Sequence, residues 1–253
     1  MATYVLISGA WLGGWAWKDV SGRLRAAGHE VYPVTLTGLG EREHLATPDV
    51  DLDTHITDVT NVMDYEDLTD VILVGHSYSS IVVEGAADRS PDRVSVVVYV
   101  DGAPFGDGIA YQDFSPPEVR DQIRFTVESQ GDGWRLPFPG IEGLSRQASV
   151  AGLGPAQRRL MSARATAQPF GTYTQALRIK DGGHVHRLRA IVCSDGGFSV
   201  QQIRDALASD DPGMFAVFAG PLWQLDEIHT GHWSMLSAPD ELASLLDGYG
   251  RSG

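Results

Sequence analysis

Short β-branched runs alternate with amphipathic segments along most of this chain, and the alternation leaves few architectures open. The runs at 4–7, 30–34, 71–74, 94–100, 188–193 and 214–218 are too short for buried helices and are bounded by turn residues, so they read as strands. Segments with helical spacing fall between them at 16–27, 54–65, 79–89, 200–208 and 239–249, several ending at Gly or ahead of Pro. Repeated strand–helix units predict an α/β fold: a mostly parallel sheet flanked by helices on both faces.

The alternation breaks over 106–187, where Pro and Gly are frequent and strand signal fades. A stretch this long is not a bare loop in a compact domain. Helical pieces at 117–127 and 155–165 predict a small helical cap insertion, dividing the chain into a core of 1–105 and 188–253 and an insertion of 106–187. Nine basic and seven acidic residues lie in 105–180, against a net charge of −14 for all 253 residues. The insertion is therefore slightly cationic on a strongly acidic protein.

That acidity disfavours phosphate backbones and anionic lipid surfaces as partners, so neither nucleic acid nor a membrane is expected. No apolar run approaches the ~20 residues of a spanning helix. The first lysine is Lys18, and the opening apolar run stops at Ser8-Gly9, so no secretory signal is expected. A single cysteine, Cys193, allows no internal disulfide and no thiol-based metal site, which points to a cytoplasmic protein.

The richest local feature is Gly75-His76-Ser77-Tyr78-Ser79, set directly between a strand and a helix. So sharp a turn forces its central residue into strained backbone, and small residues two positions to either side let strand and helix approach. Ser77 is the expected nucleophile. At the helix N-terminus the N–H of Tyr78 is placed to face an oxyanion.

A serine hydroxyl needs a base and a group to orient that base. Of eight histidines, His76 is expected to point away from the serine, and His29, His44 and His55 belong to early segments. His184 and His186 form an H-x-H pair without an obvious third ligand, so no metal and no cofactor are expected. His232, in the loop ahead of the last helix, is the expected base. Asp195, directly after the run at 188–193, is the expected acid, and Asp101, after 94–100, is the runner-up.

Taken together, these motifs resemble the α/β-hydrolase superfamily, and within it the branch of plant methylesterases and hydroxynitrile lyases. The likeness rests on 5–17 (VLISGAWLGGWAW), Gly38-Leu39-Gly40, Gly75–Ser79, Asp101 and 231–239 (GHWSMLSAP), and spans most of the chain outside the insertion. It implies a second oxyanion donor, the backbone N–H of Ala10, and an insertion that closes over substrate. Three departures stand out: Ser8 replaces the usual histidine, Ser79 replaces the elbow's second glycine, and Gly196 and Gly197 occupy positions near the usual acid. Lyases of this branch carry lysine after the histidine and threonine in the first loop; here Trp233 and Gly9 stand there, so the esterases are the nearer likeness.

The leading expectation is a serine hydrolase cleaving a carboxylic ester with a small aromatic or medium-sized apolar acyl group. Trp11, Trp134, Phe138, Phe170 and Trp223 are candidates for the pocket wall. The alternatives are a lyase, lactonase or ring-forming acid/base catalyst in the same pocket, or a non-catalytic binder of small molecules.

Overall fold

Residues 1–180 and 186–251 are described in a computed structural model. In chain order, β1 (Thr3–Ile7), α1 (Lys18–Ala26), β2 (Glu30–Val34), α2 (Leu52–Tyr65), β3 (Val71–His76), α3 (Ser79–Arg89) and β4 (Val94–Val100) form the first half. An insert follows with α4 (Pro117–Gln130), β5 (Arg135–Leu136), α5 (Gly140–Ser145), α6 (Pro155–Arg164), β6 (Gln168–Pro169) and α7 (Gly171–Thr174). The chain then returns through β7 (Arg187–Cys193), α8 (Val200–Leu207), β8 (Trp223–Ile228), α9 (Ser234–Ser237) and α10 (Pro239–Arg251).

The main sheet has the order β2-β1-β3-β4-β7-β8, with every neighbouring pair parallel. Its central strands are apolar because helices cover both faces: all six residues of β3 and six of the seven in β4 are buried, the pattern of a doubly covered parallel sheet. The expected α/β architecture is the observed one. Parallel pairing also delivers every strand's C-terminal end to one edge, and that edge carries the residues considered below.

Four elements differ from expectation. The run at 214–218 is a 3₁₀ helix, Gly213–Phe218, that follows Pro212 and starts from a Gly213 at φ +54°. Its apolar content serves to seat Phe218 edge-on against Trp223 (ring centroids 5.0 Å apart). The sixth strand is β8, which sequence periodicity missed because Gln224, Asp226 and Glu227 dilute it; an edge strand tolerates such residues where a central one does not. Within the insert, β5 and β6 form a short antiparallel pair in a region with no strand signal.

Carboxylates on or near α3 dock the ends of the insert. Glu84 accepts the N–H groups of Phe105 (2.6 Å) and Gly106 (3.1 Å), while Asp88 accepts that of Lys180 (3.1 Å). Asp107 ties the two ends together through the N–H of Ile179 (2.9 Å). Burial raises the carboxyl pKa of Glu84. No helix among the described residues is long and apolar enough to cross a membrane.

Candidate active site

Ser77 tops the turn from β3 to α3 with φ +52°, a left-handed conformation that a residue with a Cβ seldom adopts. Its N–H is held by Val100 O (3.1 Å), and its own carbonyl accepts from Ser80 N–H (2.9 Å). The closeness of strand and helix explains Gly75, where a Cβ would come within 2.7 Å of Ser79 O and 2.8 Å of the Val83 methyls. Ser79, fully buried, replaces glycine without crowding because its hydroxyl donates to Ser8 O. Ser8 in turn donates to Gly13 O (2.7 Å), bracing the first loop from within.

His232 lies in the loop between β8 and α9, and its backbone is gripped at both ends. Its N–H donates to Ser149 O of the insert (2.9 Å), and its carbonyl accepts from His76 Nε2 (2.9 Å). Gly231 is required by this approach, since a Cβ there would sit 2.5 Å from Ser149 O. The imidazole Nδ1 is 2.5 Å from Asp101 Oδ2, so Nδ1 carries the proton and Nε2 is left as the acceptor.

Asp101, not the expected Asp195, is thus the carboxylate paired with His232. One residue past β4, Asp101 adopts φ +45°, which turns its carboxyl across the end of β7; there Cys193 N–H donates to Oδ1 (3.0 Å). Asp195 is exposed, its N–H spent on Thr230 O (3.0 Å), and Gly196 at φ +115° continues the turn.

His76, set aside as the base in the sequence, has a structural place here. It is buried beside the site, its ring centroid 4.6 Å from that of His232. Its Nδ1 accepts from Gly9 N–H (3.2 Å), which leaves the proton on Nε2 for the bond to His232 O. Burial, with His232 nearby, holds its pKa well below the usual histidine value, so it is a neutral strut. Gly9 has no space for a side chain, as a Cβ would approach His76 Nδ1 to 2.7 Å; the threonine found there in lyases is sterically barred.

Ala10 and Tyr78 carry the two expected oxyanion donors. Among the described residues no acceptor is paired with either N–H, and α3 starts without a side-chain cap. Tyr78 is fixed from below: its hydroxyl donates to His55 Nδ1 (2.9 Å), and His55 Nε2 donates to Thr37 O (2.9 Å). Burial pushes the His55 pKa down, keeping that ring neutral. Of the other histidines, His29 is buried against Asp247 (2.8 Å) and His44 is exposed, while His184 of the H-x-H pair lies outside the described residues. Among the described residues no cluster of three His, Cys, Asp or Glu side chains is placed to hold a metal.

Ser77, Asp101 and His232 all line one cavity of about 510 Å³. Its apolar wall is built by Phe105, Phe114, Phe198, Met214, Phe215 and Phe218, contributed by the start of the insert and by the segment around α8. The five aromatics expected there do not line it: Trp11 packs edge-on to Phe138, Trp134 lies beneath Arg135, Phe170 packs beside Tyr173, and Trp223 sits between Tyr99 and Phe218. Sequence reading missed Tyr111, whose phenol engages the Ser77 side chain and whose pKa is raised by burial. It follows a long structureless stretch, so no periodicity marks it. Cys193 also borders the cavity, and burial pushes its thiol up to about 12, which makes it a poor nucleophile.

Residues 4–245 match the alpha/beta hydrolase family, and the chain belongs to it. Among curated relatives it is 34% identical over 263 residues to a carbendazim hydrolyzing esterase of Nocardioides sp. (strain SG-4G), covering 99% of this chain and 100% of that protein. It is 26% identical to methylesterase 10 of Arabidopsis thaliana, covering 96% of this chain and 90% of the relative. Among solved structures, an extracellular alpha/beta-hydrolase from a Paenibacillus species superposes with a TM-score of 0.78 at 21% identity, covering 99% and 100% of the two chains.

Proposed function

We propose that this chain is a cofactor-independent serine esterase in which Ser77, His232 and Asp101 act as nucleophile, base and orienting acid. The observation that carries this reading is that a left-handed Ser77 and a bonded His232–Asp101 pair line the same cavity. The esterase names of its curated relatives support it.

Ser77 Oγ attacks the ester carbonyl carbon as His232 Nε2 takes its proton, and Asp101 stabilises the imidazolium through Nδ1–H. The carbonyl oxygen becomes an oxyanion facing the N–H groups of Ala10 and Tyr78. Collapse breaks the bond to the leaving alkoxide, which receives the proton from His232. Water, deprotonated by the same imidazole, then attacks the acyl-enzyme and releases the acid and free Ser77. The insert acts as a cap, and its Phe114, with Phe105 just ahead of it and Phe198 and Phe215 from beyond β7, suits an aromatic or medium-sized apolar acyl group. The partner is a small-molecule ester; the single buried thiol is consistent with a cytoplasmic setting.

The test is release of p-nitrophenol from short-chain p-nitrophenyl esters by wild type and Ser77→Ala, with labelling by a fluorophosphonate. Turnover and labelling in wild type, both abolished in the variant, are expected. Equal turnover by the two proteins would refute the nucleophile.

A further inference from the structure

Trp11 directly follows the oxyanion donor Ala10 and adopts φ +65°, an unfavourable conformation for a bulky side chain. All three of its polar groups are satisfied by the insert. The backbone N–H donates to Gln168 Oε1 (3.1 Å), the carbonyl accepts from Thr166 N–H (3.0 Å), and the indole Nε1 donates to Leu136 O (3.2 Å). Leu136 is in β5 and Gln168 in β6, so the small sheet of the insert grips the oxyanion loop from both strands.

Gln168 is fully buried, and its amide is oriented by a relay: Nε2 donates to Thr172 Oγ1 (2.8 Å), which donates to Pro169 O (2.6 Å). With Nε2 committed to Thr172, Oε1 faces Trp11. Without that acceptor, the buried Trp11 N–H would be unpaired, and the left-handed residue beside Ala10 would lose the bond that holds it against its intrinsic preference. The other donor is also seated on the insert, since the Tyr78 ring stacks on Tyr173 (centroids 5.6 Å, 12°).

We propose that Gln168 is a positioning residue for the oxyanion hole: acting through Trp11, it aims the N–H of Ala10, so that docking of the insert sets transition-state stabilisation as well as covering substrate. This rests on the esterase reading above. An N–H that serves only the tetrahedral state affects kcat and leaves substrate binding nearly alone.

The experiment compares wild type with Gln168→Met, which keeps length and volume but removes the acceptor. Steady-state hydrolysis of a p-nitrophenyl ester is normalised to Ser77 sites titrated by fluorophosphonate, and affinity for an aryl boronic acid, a tetrahedral mimic, is measured alongside. The expected result is a fall in kcat per titrated site of ~100-fold, the scale of one lost oxyanion donor, with KM within ~3-fold and boronate affinity weakened in proportion. Unchanged kcat per site, even with a lowered Tm, overturns the proposal, because a merely structural role changes only how much enzyme is folded. Should Gln168→Met not fold, Gln168→Asn keeps the amide but shortens it by one methylene, drawing the acceptor away from Trp11 N–H; a fall in kcat of about tenfold or more at constant KM is then expected, the scale of a weakened oxyanion donor, and wild-type kcat overturns the proposal. Ser77→Ala run in parallel separates the two failures: full turnover in that variant defeats the esterase reading, whereas a dead Ser77→Ala beside a fully active Gln168→Met defeats only the role of Gln168.

Discussion

Asp101 Oδ2 and His232 Nδ1 are 2.5 Å apart across 131 residues of sequence, and the same carboxylate takes the N–H of Cys193 on its other oxygen. Its two oxygens thus do separate work: one is fixed to the end of β7, the other fixes the tautomer of the imidazole. Asp101→Asn leaves the shape but presents the wrong hydrogen-bond partner, and kcat is expected to fall by ~10³–10⁴. Asp195→Asn, on an exposed side chain, is expected to stay within ~3-fold of wild type, as surface substitutions usually do. Parallel steady-state kinetics of the two variants decide the assignment, and the opposite ranking would reinstate Asp195.

Tyr111 reaches the site from the insert and shares the cavity with Ser77. Tyr111→Phe removes one neutral hydroxyl while keeping the ring, which packs against Tyr173 (centroids 4.6 Å). Loss of a neutral hydrogen bond is worth ~1 kcal/mol, so kcat/KM is expected to drop by roughly fivefold with Tm nearly unchanged. An unaltered kcat/KM would mean that the phenol does not touch the reacting ester.

Phe198 and Phe215 meet edge-on (centroids 4.9 Å, 86°) on the cavity wall away from the insert. Phe215→Ala is expected to raise KM for an aromatic ester by about tenfold, the loss of ~1–2 kcal/mol of apolar and aromatic contact, with a smaller change for an acetate ester. Equal changes for both esters would place the acyl group elsewhere.

Gly75→Ala tests the close approach of β3 and α3. The added methyl meets the Ser79 carbonyl and both Val83 methyls, and overpacking of this kind costs about 1–3 kcal/mol. Urea denaturation is the measurement, and a variant as stable as wild type would contradict the described elbow.

His55 and His76 are buried as neutral rings, each with its pKa below the ordinary 6.5 because burial disfavours the charged form. As pH falls through 6.5 the unfolded chain takes up protons at these sites while the folded chain does not, so stability is full above ~6.5 and is lost progressively below it. The buried Glu84, with its raised pKa, acts in the opposite direction as pH falls, but it is one group against two. Tm is expected to decline between pH 7 and pH 5, and a flat or rising profile over that range would contradict two neutral buried imidazoles.

The elements of the central sheet were legible because a strand covered on both faces has to be apolar throughout, and the Ser77 elbow was legible because its chemistry needs small residues at fixed local offsets. His232 was recoverable from its place ahead of the last helix. The acid was not. Asp101-Gly102 and Asp195-Gly196 are the same dipeptide at the ends of two adjacent parallel strands, and local pattern treats them alike. Only the left-handed turn at Asp101 and the Cys193 N–H that its carboxylate accepts choose between them. The cavity wall was beyond sequence for a related reason: aromatic residues are equally apolar in a core and in a pocket, and which of them face the void depends on where the insert docks. The clamp of Trp11 by Leu136, Thr166 and Gln168 has no local signature at all, since its partners lie more than a hundred residues from the loop they hold and meet it only once the insert is folded over the sheet.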